Sequence, residues 1–100
     1  MAARWYERQG YVVLDRNWRC REGEIDLVVA RGRLVVFSEV KTRSSDAFGS
    51  PASAVTATKQ ARIRRVAMRW LGVNAVRGAS LRFDVVCVIG GSIDVIEAAF

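Results

Sequence analysis

Residues 23–43 read GEIDLVVARGRLVVFSEVKTR, and the way this stretch folds decides the rest of the chain. From Glu24 to Ala30 apolar residues alternate with charged or small ones, Arg31 and Gly32 make a turn, and Leu34 to Lys41 runs back, which is the pattern of a β-hairpin. Alternate side chains on a strand share a face, so Glu24 and Asp26 point the same way, as do Glu39 and Lys41. A loop from Arg31 to Leu34 sets Asp26 opposite Glu39 and Glu24 opposite Lys41; a loop of Arg31 and Gly32 alone slides the pairing without changing the faces. Either register leaves Ile25, Leu27, Val29, Val36 and Val40 on the other face.

Outward from the hairpin, residues 2–9 (AARWYERQ) are good helix formers and Gly10 supplies a left-handed stop. Tyr11 to Leu14 then begins a strand, with Asp15 to Asn17 a polar break. Beyond the hairpin, residues 44–52 (SSDAFGSPA) read as a loop around Gly49 and Pro51. From Ser53 to Leu71 the residues Ile63, Val66, Ala67, Trp70 and Leu71 recur at the helical period, Lys59, Arg62, Arg64, Arg65 and Arg69 fill much of the remaining circumference, and Gly72 is the expected stop. Leu81 to Ile89 and Ser92 to Ile96 are two further strands joined at Gly90 and Gly91. The order helix, strand, hairpin, helix, strand, strand implies an α/β fold, a three-layer sandwich with a central mixed β-sheet. The strand after the long helix is expected to run parallel to the strand before it, through a right-handed crossover.

One hundred residues, 51% hydrophobic and with a single Pro, suit one domain over 1–100 with no long linker. Sixteen Lys and Arg against ten Asp and Glu leave a net charge of +6, the footprint of a phosphate partner, with plain solubility as the alternative. The chain has no His, and Cys20 and Cys87 lie far apart, so a zinc site is excluded and any metal must be held by oxygen. The longest apolar run, Val85 to Ile89, is too short to span a membrane and no signal-like segment opens the chain. A cytoplasmic protein with both Cys in its core is expected.

Carboxylates gathered on one strand face repel one another, and a divalent cation removes that repulsion. Two carboxylates, waters and a substrate phosphate oxygen form a set that Mg²⁺ accepts, while a neighbouring Lys orients a water or stabilises the transition state. The alternative is a surface hairpin whose acids pair with Lys41 and nearby Arg. Arg62, Arg65 and Arg69 recur at helical spacing, and Lys59 and Arg62 lie near the helix N-terminus, where phosphate is favoured; a merely solvated face is the competing reading. Arg43 follows the strand that carries Glu39 and Lys41, and Arg82 with Asp84 either borders the same cleft or forms an ion pair. Trp5 and Trp70 read as core, leaving Trp18 as the candidate for stacking on bases.

The runs GYVVLDRNWRCREGEIDLV (10–28), VFSEVKTR (36–43), the loop through Gly49 and Pro51 into Lys59, and RFDVV (82–86) resemble the UPF0102 (YraN-like) family over nearly the whole chain. That family is similar to the restriction-endonuclease-like PD-(D/E)xK superfamily, and especially to Holliday-junction resolvases. The resemblance implies a nuclease in which Asp26, Glu39 and Lys41 are catalytic and Asp26 and Glu39 hold Mg²⁺ or Mn²⁺. Glu24, Lys59 and Gln60 are additional site candidates, and Arg43, Lys59, Arg62, Arg65 and Arg69 contact nucleic acid. Ser38 stands where the family usually has Val, and its side chain is expected to face away from the site and alter packing alone. The family's first helix normally begins earlier and brings an extra acid, a role not carried onto Glu7, and IEAAF resembles the beginning of a longer ending. The chain is therefore expected to lack the family's usual start and end. The reading is a metal-dependent endonuclease acting on DNA, including branched or junction DNA, as a homodimer with a site for each strand. Its rival is a nucleic-acid-binding module that keeps the fold without catalysis.

Overall fold

A computed structural model describes residues 1–43 and 55–100 of the chain. Its elements are α1 (Ala2–Arg8), β1 (Val12–Cys20), β2 (Gly23–Arg31), β3 (Leu34–Arg43), α2 (Ala57–Val73), β4 (Ser80–Ile89) and β5 (Ser92–Ile96). The strands form one mixed sheet in the order β1-β2-β3-β4-β5. Only the β3–β4 pairing among them is parallel, as expected for strands joined through a helix. No helix among the described residues is long and apolar enough to cross a membrane.

The sheet is covered on both faces. Val28, Val35, Phe37 and Val85 pack with Ile63, Val66 and Trp70 of α2. Leu27, Val29, Val36 and Val86 pack with Ala2, Ala3 and Tyr6 of α1. Phe37 meets Trp70 edge-on with ring centroids 5.7 Å apart and stacks on Phe83 at 5.6 Å, so aromatic contacts join the sheet to α2. Cys87 is buried as expected, whereas Cys20 is only half-buried and donates to Glu22 Oε1 at 3.3 Å.

Several local readings change. The polar break at Asp15 to Asn17 is part of β1, which runs unbroken to Cys20 by taking a bulge between Val13 and Asp15 and a left-handed turn at Asn17, φ 49°. Asp15 is held there by the Trp70 indole, whose Nε1 donates to Oδ2 at 3.0 Å, and a bulge on an edge strand absorbs the misfit. At Asn17 the side-chain alternation also reverses, and Ile25, paired with Trp18, joins the α2-side core instead of sharing a face with Leu27. Trp18 packs against the same core and is not presented for stacking.

Gly72, finally, does not end the long helix. The expected beginning at Ser53 and the 44–52 loop lie outside the described residues. Thr56 caps α2 by accepting the Lys59 N–H at 3.2 Å. At the far end Val76 N reaches Leu71 O and Ala75 N reaches Gly72 O, a Schellman arrangement with Ala75 in the left-handed region, φ 54°. Gly10 fills the equivalent position after α1, φ 89°, as its sequence suggested.

Ser38 faces α1, and its effect exceeds packing. The Tyr6 hydroxyl donates to Asp84 Oδ2 at 2.7 Å and, its only proton being spent there, accepts from Ser38 Oγ at 2.8 Å. Burial holds that hydroxyl's pKa well above its usual value. Asp84, fully buried, is also met by both forks of Arg82 at 2.9 Å and by the Ala98 N–H at 3.0 Å, so the ion-pair reading of Arg82 and Asp84 is the correct one. Arg82→Ala strands a buried carboxylate and is expected to cost about 3 kcal/mol in denaturant unfolding. A loss below about 1 kcal/mol would show that the remaining hydrogen bonds suffice for Asp84.

Candidate functional site

β2 and β3 pair from Arg31↔Leu34 to Leu27↔Ser38, the register in which the loop spans Arg31 to Leu34. Continued by one step, it brings Asp26 to Glu39, but there the ladder ends. Asp26 Oδ2 accepts the Val40 backbone N–H at 2.8 Å, so a carboxylate takes the place of a strand carbonyl and the two strands part around it. A cleft of about 200 Å³ opens at this point. Glu24, Asp26, Glu39 and Lys41 line it from the strands, and Lys59 and Arg62 from α2.

The approach of α2 depends on Gly23. A side chain at this position would begin 3.3 Å from Arg62 Cδ and 3.4 Å from Val66 Cγ2, and the backbone stands at φ 151°, which disfavours other residues. Glycine therefore lets the basic helix sit close beside the acids.

Of the three acids, Glu24 is engaged by Arg19, whose Nε donates at 3.1 Å. Asp26 and Glu39 face each other. Burial, a hydrogen bond with Asp26 and repulsion by its charge push Glu39 up to about 7, against which Lys41 and Lys59 pull weakly. Among the described residues no three acid, Cys or His side chains gather into a ready-made metal cage. The donor set is two carboxylates, which suits an ion that completes its shell with water and substrate oxygen.

The remaining candidates lie outside the cleft. Gln60 Nε2 donates to Val55 O at 3.1 Å, and Arg43 ends β3 beside Ile89. Arg65 is exposed on the outer side of α2 near Arg64 and Met68. Arg69 is the clearest departure from expectation: its Nε and Nη2 meet both oxygens of Glu22 at 3.2 and 2.9 Å, so its charge is compensated rather than offered to phosphate. The same contact holds Glu22 down to about 2. Glu22 precedes the hairpin by one residue, and nothing in its local pattern signals a partner so distant along the chain.

The model described as "Uncharacterised protein family UPF0102" matches residues 1–88. A UPF0102 protein of Beutenbergia cavernae is 53% identical over 89 residues, covering 89% of this chain and 75% of its own. One of Frankia alni is 56% identical over 88 residues, covering 88% and 73%. One of Myxococcus xanthus is 44% identical over 103 residues, covering 99% and 82%.

The acid pair has a measurable consequence in chelating buffer. The unfolded chain releases the Glu39 proton near 4.5, while the folded protein keeps it to about 7. Folding thus takes up a proton between these values, so the stability it contributes is full below about 4.5 and is lost as pH rises through 7. Unfolding midpoints at a series of pH values are expected to fall across this window in wild type relative to Glu39→Gln. Parallel profiles would mean that neither burial nor Asp26 raises Glu39.

Proposed function

The chain belongs to the UPF0102 family, and from the pairing of Asp26 with Glu39 in a basic-walled cleft we propose that it is a divalent-metal-dependent endonuclease with a restriction-endonuclease-like fold of the PD-(D/E)xK kind. The observation that carries this reading is the carboxylate pair itself. A fold with no use for it would not hold Glu39 against Asp26 at the cost of their repulsion, since like charges opposed across strands destabilise a sheet.

Asp26 gives one oxygen to the Val40 N–H, which orients the carboxylate and leaves the other oxygen for a cation. Glu39 supplies the second ligand. Mg²⁺ or Mn²⁺ bound there would neutralise charge on the phosphate and make water a better nucleophile. Lys41, on the same strand face as Glu39, reaches the cleft as an ammonium that cannot ligate the cation but can hold a water or the developing negative charge. Lys59 and Arg62 line the opposite wall and would bind flanking phosphates, with Arg65 continuing the basic surface outward.

The substrate proposed is DNA, including branched or junction DNA. Cutting two strands at once needs two sites, so a homodimer is the proposed assembly. The free cysteines suit a reducing, cytoplasmic setting.

A panel of linear, branched and junction DNA incubated with Mn²⁺ tests the reading. Wild type is expected to cut at least one member, and Lys41→Ala to slow cleavage by about a hundredfold or more while leaving DNA binding intact. Cleavage by Lys41→Ala at the wild-type rate would remove Lys41 from the chemistry. DNA bound but nowhere cut would make the non-catalytic module the better description.

A further inference from the structure

The parting of β2 and β3 opens the sheet toward both faces. On the α1 side lies a groove of about 450 Å³, lined among others by Arg16, Asn17, Leu27, Val40 and Thr42. Asp26 lines this groove as well as the carboxylate cleft, and among the described residues no other side chain lines both. The two depressions therefore meet at the acid that would hold the cation.

The groove is suited to a nucleotide. Val40 and Val88, over the buried Leu27, give it an apolar floor, while Arg16, Asn17 and Thr42 place a guanidinium, a carboxamide and a hydroxyl on its polar side. Arg16 is exposed, and its guanidinium enters no ion pair among the described residues, unlike Arg19, Arg69 and Arg82. The left-handed backbone at Asn17 interrupts the pairing of β1 with β2 opposite Asp26, so the irregularity of the edge strand falls where the groove reaches the acid. Backbone held in a sparsely populated region is commonly found at functional sites.

We propose that this α1-side groove is the second half of the substrate site. It takes the nucleotide adjoining the scissile phosphate, with Arg16 on the next phosphate of the strand and the sugar and base against Val40 and Val88. The strand then crosses the sheet at Asp26, with Arg62 and Lys59 on one side of the cut and Arg16 on the other. This inference rests on the nuclease reading of the carboxylate cleft and extends it to a face that reading does not use.

The test uses DNA carrying one neutral methylphosphonate linkage, moved stepwise past the cleavage position, with binding measured by fluorescence anisotropy in EDTA. Wild type is expected to lose about tenfold in affinity when the linkage facing Arg16 is neutral, in line with one lost phosphate contact. Arg16→Ala should bind unmodified DNA about tenfold more weakly and become indifferent to that one linkage, while Arg62→Ala becomes indifferent to a linkage across the cut. Arg16→Lys should recover most of the affinity. If wild type cuts DNA but Arg16→Ala binds as tightly and remains as sensitive to every linkage, the groove is not a substrate site and the nuclease reading survives. Wild type that neither binds nor cuts overturns both. Binding without cutting overturns the nuclease reading alone, and the groove then stands or falls on whether Arg16→Ala loses its response to a single linkage.

Discussion

The hydrogen bond from the Val40 N–H to Asp26 Oδ2 is the contact on which the site depends. A hairpin ladder that continued past Leu27↔Ser38 would bury its backbone groups in one another and leave no gap. Here a side-chain oxygen satisfies the amide instead, the strands separate, and the acids remain at their facing ends. The same contact explains why Asp26 stays oriented while Glu39 carries the consequence of their proximity. It also accounts for openings on both faces of the sheet, since a gap between strands has two sides.

A strained pair of acids needs rigid neighbours, and the surrounding packing provides them. Immediately before Glu39, Ser38 is tied through Tyr6 to Asp84 of the parallel strand β4, in the register Ser38↔Asp84. The last ordinary rung of the ladder is thereby anchored to α1 and to the neighbouring strand at once. On the other face the Glu22–Arg69 contact holds the β1–β2 turn to α2, and Gly23 lets the helix close on the cleft. These supports lie outside the cleft yet fix where its side chains point, which is how the geometry of a site is commonly preorganised. The exposed Glu22–Arg69 pair adds little stability of its own, because solvent screens it, and serves chiefly to set position.

Much of this was legible in the sequence, because it depends on period and turn chemistry alone. The strands of the hairpin, β4 and β5 follow from their apolar patterns, and the face shared by Glu39 and Lys41 follows from strand alternation. The parallel return of β4 follows from the intervening helix. What was not legible depends on contacts distant along the chain. Asp15 to Asn17 reads as a break until Trp70 is seen to hold Asp15 in the edge strand. Ile25 changes face because the left-handed backbone of Asn17, opposite the neighbouring Asp26, breaks the alternation there. Arg69 looks like its neighbours on α2 until Glu22 is placed beside it. Gly72 looks like a stop, but the Schellman contacts close three residues later on Ala75. In each case local propensity was overridden by a partner that one-dimensional spacing does not reveal.

We propose that Asp26 and Glu39 are paired in order to share a divalent cation. Calorimetric titration of Mn²⁺ into wild type, Asp26→Asn and Glu39→Gln above pH 7, without nucleic acid, decides whether they do. Wild type is expected to bind saturably, with a stabilisation of roughly 2.7 kcal/mol at a hundredfold excess over the dissociation constant, and either variant to bind little or not at all. Absence of binding to wild type, or binding that both variants retain in full, would contradict it.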